Sequence, residues 1–294
     1  MYSIKEKNKL NNKKLANKNN FKSTSKFQLS LITPYVIFSI LFIILPMILI
    51  FIYAFKPLDG QSKNLENWDI IARKTTWTIM WRSIITGLLA AFIALILGFP
   101  YAYIISKSKS TILKTLGLSL ILSPLAIFTI SKALSMRGLF SAIFDENKLN
   151  NYFFMILGMV YLYLPLMVMP LYQVLKDMPK NILEASEDLG YSKIKSVFKV
   201  ILPYCSKAIL SGFGIVLMMS STSIIISEKL LPNGSQKQLI GNLINQFANT
   251  TNPFDLANAS SLVIITMIVL LSIYGLIYGI PYLISKHRQG GSYE

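Results

Sequence analysis

The sequence predicts an all-α, polytopic membrane protein with six transmembrane helices, and three observations carry that prediction. Hydrophobic residues make up 53% of the chain and charged residues only 14%. The apolar residues gather in six blocks, at 29–55, 80–105, 112–133, 152–175, 204–227 and 259–284. Each block meets the ~20 residues that a helix needs to cross a hydrocarbon core of about 30 Å. Between the blocks, lysine and arginine fall mostly on one side when the segments alternate across the bilayer. Runs this long and uniformly apolar exclude barrel strands, which alternate between lipid-facing and lumen-facing positions.

Taken in order, residues 1–28 form a basic tail, with lysines from Lys5 to Lys26 set among asparagines and no apolar period, and are predicted to be disordered. The apolar run that follows is about twice the usual length of a signal-peptide core, so the tail is not a cleavable leader. The membrane domain occupies 29–285, and a short tail, 286–294, closes the chain. Trp77, Trp81, Tyr101, Tyr103, Tyr278 and Tyr282 lie near predicted span ends, where amphipathic rings form interfacial belts. Pro46, Pro100, Pro124, Pro165 and Pro170 fall inside apolar runs. Each removes a backbone donor and either kinks its helix or is absorbed by neighbouring helices.

Placing both termini on the side of the basic tail gives that side 19 of the 29 basic residues and a net charge of +13, leaving +3 outside. The sequence therefore predicts a multi-pass protein of the plasma membrane with both termini cytoplasmic. A charge of +16 would suit nucleic acid in a soluble chain. Here inside-positive topology and anionic lipid account for it, so the expected partner is the bilayer and not nucleic acid.

Cys205 and His287 are the sole cysteine and histidine, which removes disulfides, cysteine or histidine metal cages and histidine-based triads. No glycine-rich phosphate loop occurs, so any ATP chemistry must come from another polypeptide. The chain is expected to be non-catalytic and to hold no cofactor or metal.

One charged island interrupts the apolar runs, at 176–203. At the helical period Ile182, Ala185, Ser186 and Leu189 form one small or apolar stripe opposite Glu184, Glu187 and Asp188. Pro179 suits a first helical turn and Gly190 a helix end. Ser192 then suits the cap of a second helix, whose Ile194, Val197, Phe198 and Ile201 share a face away from Lys195 and Lys199. Two amphipathic helices joined at a glycine result. Without a motif, the plainer reading is an amphipathic helix lying at the lipid interface or a solvated loop, which Lys193, Lys195 and Lys199 would also suit.

Glu184, Ala185, Ser186, then Gly190, Val200, Leu202 and Pro203 keep the spacing of a signature, EAA, three residues, G, nine residues, I, one residue, LP. That signature is similar to the one in membrane subunits of ABC importers, with Ser186 for the second alanine and Val200 for the isoleucine. The resemblance implies a type I ABC importer permease fold. It also implies that 176–203 is a cytoplasmic loop whose first helix seats in a cleft of an ATPase subunit, which would bind the ATP and Mg.

The fifth block ends in Ser220, Ser221, Thr222, Ser223, Ser227 and Glu228, too polar to face lipid. Glu228 reads either as part of a transport path or as an interfacial carboxylate paired to Lys229. Ser227 and Glu228, Asn233 and Gly234, the run Leu239, Ile240, Gly241, Asn242, Ile244 and Phe247, then Pro253, Phe254 and Ala257 resemble the B-type permease of spermidine and putrescine importers. Thr33, Pro34 and Tyr35 do so at the first span, and the likeness covers most of 29–285. Glu228 stands where an aspartate is usual. The resemblance implies a related C-type permease, two ATPase subunits and an extracellular polyamine-binding protein as partners.

A path for flexible polycations wants carboxylates to offset charge and aromatic faces to attract ammonium groups. Glu228, with Ser227 and Ser223, and the tyrosines Tyr161 and Tyr163 are the candidates. The coupling signature is also compatible with an importer of an organic phosphate, an opine, an anion or iron. A secondary transporter would show an inverted repeat, and no convincing repeat is present.

Overall fold

The computed structural model describes residues 30–55, 66–231, 237–248 and 252–290. The basic tail 1–28, Asn233 with Gly234, and residues 291–294 of the closing tail fall outside the described residues. Within them the architecture is helical, as the sequence predicts, with no strand.

Helix α1, Ser30–Phe55, lies along the last helix and buries none of its most apolar stretch. Pro46 cannot donate to a carbonyl one turn back, and just before it the helix widens over Ile40–Ile44, where the Leu45 N–H reaches Ile40. Helix α2, Lys74–Lys107, is the central rod. Its buried face is small, with Ser83, Thr86, Ala90, Ala91, Ala94 and Ala102, which lets neighbouring backbones come close where no hydrophobic drive separates helix from lipid.

The third predicted span is not one straight helix. It consists of α3, Thr111–Leu122, a tight turn at Ser123–Ala126, and α4, Thr129–Ile143, and the two arms are bent by 103°. Pro124 occupies the first turn of the tight segment, and Ile127 and Phe128 are extended behind it. The second arm carries Lys132, which is buried.

Helix α5, Tyr152–Asp177, begins at an Asn151 cap and keeps Pro165 and Pro170 inside one helix. It packs on α2 through Met155, Met159, Met167, Leu171 and Leu175, which form the centre of the core. After it come α6, Lys180–Asp188, then α7, Lys193–Tyr204, and α8, Ser206–Ser221, with a 72° bend between α7 and α8 at Cys205. The fifth predicted span thus breaks earlier than expected, after Ser221, and resumes as a wide turn at Ile226–Leu230. A 16-residue α8 is about 24 Å long, short of a full crossing, and the broken segment supplies the remainder. Helix α9, Ile240–Gln246, is short, and α10, Pro253–Gly290, returns along α1.

Two contacts fix the direction of travel. The Arg82 guanidinium lies 6.0 Å from the Tyr152 ring at the starts of α2 and α5, and Lys107 Nζ donates to the Met178 carbonyl at 3.1 Å at their ends. The two helices are parallel, so α3 and α4 must together carry the chain from one face to the other as a broken span. At the Arg82 end, Asn67 Nδ2 donates to Ala54 at 2.7 Å and Ser261 Oγ donates to Asn67 at 2.9 Å, which joins the finish of α1 to the start of α10. Consequently α1 begins, and α10 finishes, at the same end as α6 and α7.

Candidate coupling elbow and transport path

The chain leaves α5 at Met178, whose extended backbone is what a residue preceding proline adopts, and Pro179 starts α6. At the far end the Tyr191 N–H bonds to the Ser186 carbonyl at 3.1 Å and the Gly190 N–H to Glu187 at 2.8 Å. This pair of bonds is a Schellman cap, which needs a left-handed residue at its hinge, and Gly190 supplies it with φ +77°. Ser192 then caps α7, its Oγ accepting from the Lys195 N–H at 3.4 Å. The ammonium of Lys195 sits 4.7 Å from the Tyr191 ring centre.

Folding at Gly190 lays α6 on α7 with Ser186 and Ser196 in the seam. Ser186 Oγ donates to the Leu183 carbonyl at 2.8 Å, so its only way to hold Ser196 Oγ, also at 2.8 Å, is to accept from it. Ser186, the departure from the EAA pattern, is thereby matched by a residue the sequence reading did not single out.

The stripe expected from periodicity divides. Ile182 and Ser186 face the seam, while Ala185 and Leu189 are exposed beside Glu184, Glu187 and Asp188. On α7, Val197 and Ile201 face inward and Ile194 and Phe198 outward. The stripes are wider than the area two short helices can cover on one another, so the elbow keeps an open face, apolar and acidic at once. Leu202 is half-buried and Pro203 exposed, next to the bend at Cys205.

At the other end of α8 the structure separates the candidate path residues. Ser220 and Ser221 are fully buried and their hydroxyls have no hydrogen-bond partner. The Ser223 side chain is buried close to the Tyr163 hydroxyl, bringing that pair together. Tyr161, two residues along α5 and so on its opposite side, is exposed and does not join them. Ser227 is buried and bonds to Asn242 Oδ1. Glu228 is exposed on the wide turn and, among the described residues, forms no ion pair with Lys229.

Asn242 is the hub that periodicity missed. Its Nδ2 donates to the Ile224 carbonyl at 2.9 Å, its Oδ1 also accepts from the Leu239 N–H at 3.2 Å, and the neighbouring Ile240 N–H donates to Ser83 Oγ of α2 at 2.8 Å. A Cβ on Gly241 would lie 2.1 Å from the Thr222 carbonyl oxygen, so only glycine lets α9 approach the break in the fifth span this closely. Among the described residues, no three His, Cys, Asp or Glu side chains are gathered where a metal could sit.

Comparisons with known proteins extend over most of the chain. The spermidine/putrescine transport system permease protein PotB of Salmonella typhimurium is 30% identical over 274 residues, covering 85% of this chain and 93% of that protein. The chain belongs to the PotB permease family. A PotB homolog of Mycoplasma genitalium is 29% identical over 266 residues, covering 86% of this chain and 92% of its own length. No family model matches the chain. Among solved structures, a bacterial ABC transporter that imports the acidic polysaccharide alginate aligns with TM-score 0.63 at 17% identity, covering 87% of this chain and 97% of its own. The MetNI methionine ABC transporter aligns with TM-score 0.50 at 16% identity, covering 71% of this chain and 94% of its own. These place the PotB-family chain in the fold of ABC importer permeases, as a multi-pass, non-catalytic membrane subunit.

Proposed function

We propose that this chain is the permease subunit of an ATP-driven importer of spermidine and putrescine. In this reading it stands beside a related C-type permease, two ATPase subunits that bind ATP and Mg, and an extracellular polyamine-binding protein, with both termini and the α6–α7 elbow in the cytoplasm. The observation that carries the reading is sequence similarity to a spermidine/putrescine permease along 93% of that protein's length. The open face of the elbow supports the docking part. It presents Leu189, 75% exposed, and Ile194, 74% exposed, around the acids of α6.

Closure of the ATPase pair would displace α6. The Schellman cap and the Ser186–Ser196 bond make α6 and α7 one body, and α7 runs into α8 through the bend at Cys205. A push at the elbow therefore arrives at the broken end of α8, where Ser223, Ser227 and Glu228 lie. That geometry converts a cytoplasmic stroke into a change in the polar half of the path, the alternating access expected of such a subunit. Glu228 offers a carboxylate to a passing ammonium, and the Tyr163–Ser223 pair offers hydroxyl oxygens.

Uptake of radiolabelled spermidine and putrescine by the reconstituted complex tests this. Wild-type complex should accumulate both only with ATP, and Glu228→Gln should raise KM by about tenfold, the worth of roughly 1.4 kcal/mol of charge interaction. Glu228→Asp should stay close to wild type. ATP-dependent uptake of neither polyamine would overturn the assignment of cargo, and an unchanged KM in Glu228→Gln would remove Glu228 from the path.

A further inference from the structure

Lys107 ends α2, and a lysine in a last helical turn ordinarily turns back on its own helix's carbonyls, where the dipole favours a cation. Here it reaches across to the junction of α5 and α6. Met178 is held extended by Pro179, so its carbonyl points away from both α5 and α6, and the first backbone bond of the new helix runs from Ile182 to Pro179 instead. A buried carbonyl in that position needs an outside donor. Met178 is only 3% exposed, and Lys107 Nζ supplies the bond at 3.1 Å.

A third element meets the same point. Cys205, fully buried, is the residue at which α7 and α8 bend, and it belongs to the same buried cluster as Met178 and as Ala102 of α2. The Lys107–Met178 bond therefore ties the end of α2 to the α5–α6 junction beside the α7–α8 bend. These are the routes by which a displacement of α6 can enter the core.

We propose that Lys107 is a positioning residue for energy coupling: it holds the central helix α2 to the root of the elbow, so that the elbow and the bend at Cys205 move as one joint. The proposal rests on the reading of α6 as the ATPase-docking helix. Its structural part, the closed joint around Cys205, does not.

The assembled transporter in proteoliposomes allows both to be read. Lys107→Met keeps the length of the side chain and removes the donor and the charge, whereas Lys107→Arg keeps both and should rescue. Cys205, the single cysteine of the chain, is the reporter, its modification by a small maleimide followed by mass spectrometry of this subunit. In Lys107→Met the rate of Cys205 modification should rise about tenfold, as expected when a local opening equilibrium loses one charge-assisted hydrogen bond. The ATPase should still copurify and hydrolyse ATP, while polyamine transported per ATP falls. Lys107→Arg should restore both readouts. An unchanged Cys205 rate together with an unchanged transport-to-hydrolysis ratio overturns the proposal. A raised Cys205 rate with loss of the ATPase from Lys107→Met alone overturns its coupling role and leaves a structural pin. Should crosslinking from α6 in the wild-type complex never capture an ATPase, the docking reading fails, and the Cys205 rate still decides the joint.

Discussion

Gly190 and Ser186 show how much a single position decides in the elbow. No atom lies within 4 Å of where a Cβ would stand on Gly190, so the cost of replacing it is conformational and not steric. A non-glycine residue in the left-handed region costs about 1–2 kcal/mol, more for a β-branched one and less for asparagine. Gly190→Val is expected to lower the melting temperature of the purified protein and to reduce uptake at unchanged expression, with Gly190→Asn close to wild type. Equal behaviour of the two variants would show that the Schellman turn does not govern the elbow. For the seam, Ser196→Ala should cost about 1 kcal/mol and Ser186→Ala somewhat more, because it also loses the bond to Leu183, while the double variant should cost no more than Ser186→Ala, since the shared hydrogen bond is already gone. Additive losses in denaturant or thermal unfolding would mean that the two hydroxyls act separately. The two features differ in their reach along the chain, which explains their unequal legibility. The cap at Gly190 closes within five residues, so spacing alone announced it. The partner of Ser186 lies ten residues on, across the turn, and nothing local named it.

At the scale of elements, the sequence showed where apolar helices lie and was silent about where two of them break. Of Pro46, Pro100, Pro124, Pro165 and Pro170, only Pro124 coincides with a sharp bend. Pro165 and Pro170 belong to the most buried span, where packed neighbours hold the helix straight, whereas α3 is largely exposed and has little to resist the turn. The second break, after Ser221, carries no proline at all. It persists because Asn242, 15 to 18 residues downstream, takes up the polar groups that the broken helix leaves unpaired. A pairing at that distance cannot be read from periodicity. Asn242→Leu, similar in size, should strand the Ile224 carbonyl, the Ser227 hydroxyl and the Leu239 N–H together, and at about 1–3 kcal/mol for each buried group it should be among the most destabilising changes in the chain. Gly241→Ala should also be severe, since a backbone carbonyl occupies the space of the new methyl group. Gly138→Ala on α4, where nothing lies within 4 Å, should be neutral or stabilising. Thermal unfolding of the three variants in detergent checks the order, and a Gly241→Ala protein as stable as Gly138→Ala would contradict the close approach of α9 to the break.

For the whole molecule, the charge tally makes a prediction about sidedness and the packing fixes which helix ends lie together. The tally put both termini and the elbow on the basic side of the membrane. The packing sets α2 and α5 parallel, joined at one end near Tyr152 and at the other near Met178, and so requires a single net crossing between them despite the 103° bend. Had α3 and α4 instead dipped into one face and returned, α5 would run antiparallel to α2, and Lys107 could not reach Met178. The positive-inside bias predicts which face is the cytoplasm, and labelling tests it. In a Cys205→Ala background, Lys199→Cys on the exposed side of α7 and Glu146→Cys, whose side chain is 71% exposed at the opposite end, are suitable labels. The ion pair that Glu146 makes with Arg137 spans 3.9 Å at the surface, so little stability is lost with it. A membrane-impermeant maleimide should modify Glu146→Cys in intact cells and Lys199→Cys only after permeabilisation. The reverse pattern would place the elbow outside the cell, where no ATPase could reach it, and labelling of both in intact cells would show that residues 108–151 do not cross the membrane as one broken span.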